Sequence, residues 1–238
     1  MECARLTRYG LLVVTGADAR AFLHAQLTND IQNLPAERAA LAGWCTAKGR
    51  LLASFLVIPS SDGFLLQLAR DLAPAVTKRL SMFVFRSKVR IADESDAWEQ
   101  YGVWQPASRL TWDGATVTVP VDERRSLKIG KGLSLPATRS EDDWTLEEIR
   151  AGRPLISAAT QDQFVPQMVN FETLGAINFQ KGCYPGQEIV ARAQYRGEVK
   201  RRLKRIQAPA GTKPGQEFEG GVIVDAAGGE ALAVMPVS

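Results

Sequence analysis

The chain has 238 residues, of which 45% are hydrophobic and 23% charged, with a formal net charge of +3; this composition can bury a core and argues against disorder. The longest apolar run, Leu51 to Ile58, is far short of the roughly 20 residues a bilayer span needs, and Met1 to Arg5 opens without the marks of a secretory signal. Three isolated cysteines, Cys3, Cys45 and Cys183, argue against a disulfide framework and against a self-contained zinc or four-cysteine cluster site, and they fit a reducing, cytoplasmic location.

In chain order, Leu11 to Val14 reads as a short buried strand. Thr15 is placed to cap a helix running to about Leu27, with Asp18 closing the capping box and Phe22, Leu23 and Leu27 facing inward. His24, the only histidine, lies inside that helix and reads as structural; its solitude argues against Ser-His-Asp and Cys-His catalysis. Strands are expected over 39–46, 51–58 and 64–68. Asp71 is placed to cap a helix that buries Leu72, Val76, Leu80 and Phe83, and another strand follows over 87–91. Asp113-Gly114 marks a two-residue hairpin, with strand residues at 116–119 and 127–129. An acidic first turn opens a helix over 142–150, ended by Gly152 and Pro154. Beyond residue 198 the chain is β-like and rich in turns, too short to make a barrel by itself. The mixture of helices and antiparallel strands predicts an α+β fold.

The stretch Asn178 to Arg192 carries the most chemistry. Gly182 suits a tight loop, Pro185 suits a first helical turn, and Cys183 is expected at or just before a helix N-terminus beside Lys181. Both the helix dipole and the lysine favour thiolate, so a reactive or ligand-donating cysteine would result. The spacing fits equally a small buried cysteine in a turn. Gln187 and Glu188 fit capping as well as binding.

Lys181-Gly182-Cys183-Tyr184, followed by Gly186-Gln187-Glu188, resembles the diagnostic motif of the YgfZ family, relatives of the glycine cleavage T-protein. Phe22 to Asp30, Trp44 to Arg50, Ala151 to Pro154 and Pro166 to Asn170 resemble the same family in the same order. The resemblance implies a T-protein-like architecture of two interleaved α+β domains with mixed or antiparallel sheets and a C-terminal β-barrel, abbreviated here, around a central folate-sized hole. The expected division is 1–32 with 112–198, then 33–111, then a short β segment over 199–238. The resemblance also implies tetrahydrofolate binding and a part in iron–sulfur cluster assembly or repair, with client or assembly proteins as partners and indirect effects on tRNA modification.

A folate site needs polar groups for the pterin edge, an aromatic face, and cations for the glutamate tail. Asn29, Asp30, Gln187 and Glu188 are candidates for the first, Tyr184 or one of the tryptophans for the second, and Lys48, Arg50 and Arg192 for the third. Cys183, with Lys181, is the candidate functional centre, as a redox residue or a transient cluster ligand. Arg150 stands where the T-protein has an acid, which counts against aminomethyl transfer and favours a folate-binding accessory factor over a one-carbon transferase. The basic residues between Arg192 and Arg205 read as the guarded edge of a sheet, or as a weak RNA contact; an RNA-binding module ranks last because aromatics do not interleave with these charges.

Overall fold

The computed structural model of the protein describes residues 1–237. Three antiparallel sheets organise it. The first joins β1 (Cys3–Arg5), β7 (Glu99–Val103), β8 (Thr111–Asp113), β9 (Thr116–Pro120) and β10 (Ser126–Gly130) in the order β1-β7-β10-β9-β8. The second joins β2 (Tyr9–Thr15), β3 (Ala40–Cys45), β4 (Leu51–Ser60), β5 (Gly63–Ala69) and β6 (Arg90–Asp93) in the order β3-β4-β5-β2-β6. The third is formed by β11 (Arg201–Gln207), β12 (Glu217–Phe218), β13 (Gly221–Ala227) and β14 (Glu230–Pro236), in the order β11-β14-β13-β12. It is an open sheet with two edges among the described residues; Ser238 lies outside them.

The two-residue period of β2 and β5 decides the layering. Leu12, Val14, Leu66 and Leu68 face one way, into a core shared with Phe22 and Leu23 of α1 (Ala19–Gln26) and Val76 and Leu80 of α2 (Ala73–Ser81). Tyr9, Leu11 and Leu65 face the other way, against Val117, Val119, Leu127 and Ile129 of the first sheet and Trp144 of α3 (Glu141–Arg150). Side chains on successive strand residues point to opposite faces, so one sheet separates two cores.

Strand pairing crosses the division expected at residues 32/33 and 111/112. β2 pairs with β5 and β6, while β7 pairs with β1 and β10. α1 also begins later than expected. Thr15 is still in the ladder, opposite Gly63 and Arg90, and the Asp18 carboxylate accepts from Lys88 N at 2.7 Å instead of capping the helix. Asp71 likewise accepts from Ala158 N at 3.1 Å, and α2 is entered through a 3₁₀ turn at Arg70–Leu72. α3 does open on a capping box, between Ser140 and Asp143.

The third sheet is tied to the rest by charge. Arg8 donates to both oxygens of the buried Asp225 at 2.8 and 2.9 Å and to Thr145 at 2.7 Å. Among the described residues, no helix is long and apolar enough to cross a membrane.

Candidate functional site

Three sequence stretches far apart in the chain meet at the end of α1. Thr28, fully buried, donates to Ala176 O and accepts from Gly43 N, each at 2.7 Å. Asn178 Oδ1 accepts from the backbone of Gln180 and Lys181 at 2.8 and 3.1 Å, turning the chain inward. The Lys181 ammonium then donates to Leu27 O at 2.7 Å and to His24 O, satisfying carbonyls that the last turn of α1 leaves without partners. It also lies 4.8 Å from the centre of the Tyr184 ring. Burial pulls the lysine down to about 8, against the opposing pull of Asp30 and Cys183. Tyr184 is itself buried, and its phenol is pushed up by that burial.

The turn after β3 seals the same site. Gly186 has φ +80°, and a Cβ there would lie 2.4 Å from Thr46 O and 2.7 Å from Gly49 Cα. Gly49 has φ +70°, with Ile189 directly above it. Two glycines in the left-handed region thus let the loops touch backbone to backbone. The left-handed residue falls at Gly186 and not at Gly182, whose φ is outside the positive range and whose Cβ would meet nothing closer than His24 Nε2 at 3.9 Å. α4 (Gln187–Tyr195) begins after Gly186, so Cys183 precedes the helix by a full turn and does not sit at its N-terminus. The thiol is free and exposed, whereas Cys3 and Cys45 are free and buried.

The central cavity lies elsewhere, between the first two sheets. It has a volume of about 520 Å³ and is lined by, among others, Tyr9, Gln67, Trp144, Glu148, Arg153 and Phe171. Glu148 and Arg153 face each other in a paired fork, with contacts of 2.7 and 2.9 Å. Arg125, almost wholly buried, adds a contact of 3.0 Å to Glu148 and lies 4.7 Å from the Trp144 ring centre. Burial disfavours the Asp122 charge, but hydrogen bonds from Arg125 and Arg153 prevail and hold it at about 2. Two acids and two guanidiniums therefore form a network behind one wall, leaving Arg125 Nη1 buried without a partner among the described residues. Gln67 donates to Gln100 Oε1 of the first sheet at 2.8 Å, which engages its amide nitrogen.

The structure brings only some of the sequence candidates to this cavity. Asn29 and Asp30 line it, though both are also structural. Asn29 donates to Leu41 O and Gly175 O at 2.7 and 2.8 Å. Asp30 binds Asn33, which holds its carboxyl below the usual range, and lies 3.2 Å from His24 Nδ1. Lys48, Arg50, Tyr184, Gln187, Glu188 and Arg192 do not line it. Arg50 donates to Gln163 O at 2.7 Å, and Glu188 pairs with Arg192 at 3.0 Å on the exposed side of α4. Arg150 points away too, pairing with Glu147 and Glu230.

Glu148, Arg153, Gln67 and Tyr9 were not legible as site residues, and Trp144 only as one tryptophan among five. The one available signal was the position of Glu148 on a helix that also carries the inward Trp144, four residues earlier and on the same face. Among the described residues, no three His, Cys, Asp or Glu side chains are grouped to hold a metal ion.

The sheets, the cavity and the motif loop define an α+β protein of the aminomethyltransferase fold. The glycine cleavage system aminomethyltransferase T of Bartonella henselae superposes with a TM-score of 0.75 over 99% of this chain and 78% of that one, at 13% identity. No family model matches the sequence. Among curated relatives, an uncharacterised protein of Haemophilus influenzae is 35% identical over 221 residues, covering 90% of this chain and 77% of the relative. The tRNA-modifying protein YgfZ of Serratia proteamaculans is 31% identical over 237 residues, 88% of this chain and 72% of the relative. The protein of the same name from an Escherichia coli strain is 31% identical over 244 residues, covering 90% and 74%. The chain belongs to the YgfZ family.

Proposed function

We propose that this protein binds a reduced folate, a tetrahydrofolate, in the central cavity and acts in iron–sulfur cluster assembly or repair, with indirect effects on tRNA modification. The observation that carries the reading is the chemistry of the cavity walls. Its volume of about 520 Å³ falls in the range of small-molecule sites. Glu148 and Gln67 offer acceptors for a pterin's donor edge, Trp144, Tyr9 and Phe171 offer aromatic faces, and Arg38 stands at the rim for a glutamate carboxylate. The bound folate would supply a one-carbon carrier; the protein's residues orient it and shield it from water.

Asp30 joins this cavity to the motif loop. It lines the cavity and touches His24, whose carbonyl, with that of Leu27, anchors Lys181, two residues before the exposed Cys183. Cys183 is the residue for redox or transient ligation, with a partner protein supplying the other cluster ligands.

The test is titration with tetrahydrofolate, following tryptophan fluorescence. Saturable quenching is expected, with most of the signal lost in Trp144→Phe. Glu148→Gln should weaken binding tenfold or more, because a hydrogen bond to a charged group is worth about 1.5–3 kcal/mol. Absence of saturable binding in the wild type overturns the reading. A second reading, one-carbon transfer to tetrahydrofolate, is favoured by one feature only: Glu148 restores a carboxylate to the cavity wall although Arg150 turns outward. Both of its oxygens are engaged by guanidinium donors, which suits binding better than proton transfer.

A further inference from the structure

We propose that the segment from the end of α2 to the start of β6 is a docking surface for single-stranded nucleic acid, distinct from the folate cavity and independent of it. Met82, Phe83 and Phe85 are 62%, 39% and 88% exposed. Phe85 has φ +42°, a left-handed conformation that costs a bulky residue steric strain and here turns its ring into water. Phe83 packs perpendicular to Trp44, with ring centres 6.3 Å apart, and stays 39% exposed.

The charges carried by this segment have one sign. Lys78, Arg79, Arg86, Lys88 and Arg90 are exposed, and no Asp or Glu occurs between Leu72 and Ala92. Arg79 lies 5.8 Å from the Trp44 ring centre; none of the five cations has a carboxylate partner among the described residues. The nearby Asp18 carboxylate is engaged by the backbone N–H of Lys88.

Flat aromatic faces between unpaired cations are what a single strand uses, its bases stacking while its phosphates meet Lys and Arg. The second basic segment, over 192–205, offers the single ring of Tyr195, which packs against Phe179 at 5.9 Å between ring centres, and Arg202 there is already engaged by Gln167 O and Glu172. An anionic membrane is the poorer match: Phe83 is tethered to Trp44, which leaves one fully projecting ring, and durable membrane attachment needs a larger apolar face.

The experiment is fluorescence anisotropy of a short labelled oligouridylate RNA with the full chain at rising salt. Saturable binding that weakens with salt is expected. Phe85→Leu should lower affinity roughly five- to hundredfold, the loss of one stacked base, whereas Phe85→Trp should keep it. Arg86→Gln combined with Lys88→Gln should reduce the salt slope by about one for each phosphate that is no longer neutralised. Melting temperature and tetrahydrofolate binding should be unchanged in all three, which separates failure here from failure of the cavity. Three results overturn the proposal: no saturable binding at low salt, unchanged affinity in Phe85→Leu, or Phe85-dependent binding to vesicles containing phosphatidylglycerol with none to the RNA.

Discussion

The ammonium of Lys181 lies 2.7 Å from the carbonyl oxygen of Leu27, so the lysine of the motif serves as the C-terminal cap of a helix more than 150 residues earlier in the chain. Lys181→Met keeps the apolar stem and removes the donors. It should cost about 1–3 kcal/mol, the cost of leaving buried acceptors unsatisfied, read by urea unfolding at pH 7.

The same residue predicts an unusual pH dependence. Burial lowers its folded value to about 8 from 10.5, so between these values the unfolded chain binds the extra proton and stability rises with pH. Below pH 8 both states carry the charge and the cost of burying it is present in full. The stability of the wild type relative to Lys181→Met should therefore improve by about 2 kcal/mol from pH 7 to pH 9.5. A flat difference across that range would mean that the lysine is solvated.

Gly186 and Gly182 stand four residues apart in one loop and should respond differently to alanine. Gly186→Ala drives a Cβ to 2.4 Å from Thr46 O at φ +80°, where backbone must move, and should destabilise by several kcal/mol. Gly182→Ala meets only His24 Nε2, at 3.9 Å, and should stay within about 1 kcal/mol of the wild type. Thermal melts of the two variants decide this, and equal losses would refute the close packing of the loops.

Glu188→Ala and Arg192→Ala remove an exposed pair on α4, 83% and 64% open at the side chain. Stability should change by at most about 0.5 kcal/mol. Tetrahydrofolate affinity should not change, since neither residue lines the cavity. A tenfold loss in either variant would move the folate site towards α4.

Cys183 should take one equivalent of iodoacetamide in the native protein, located by peptide mass mapping. Cys3 and Cys45 are buried, and burial pushes the Cys45 thiol up to about 12, which leaves it inert. Cys183→Ser should keep the melting temperature and folate binding while failing to restore iron–sulfur enzyme activity in a deficient cell. Full restoration by the serine variant would exclude the redox and ligand roles.

The sequence by itself determined the local elements and the family. The hairpin at Asp113-Gly114, the helix with an acidic first turn over 142–150 and the strands around 40–69 follow from turn chemistry and periodicity, which act over a few residues. The motif stretches carry the family because their residue order is specific even without coordinates. Only the tertiary structure decided what those residues do. Lys181 is a helix cap because the fold brings Leu27 beneath it. Gly186, and not Gly182, takes the left-handed turn because the 46–49 loop presses against it. Glu188 points to solvent while Glu148 faces the cavity, and the one local difference is the inward Trp144 a turn before Glu148. Which face of a helix meets a cavity depends on sheets assembled from strands up to a hundred residues apart, and local propensity carries no record of that pairing.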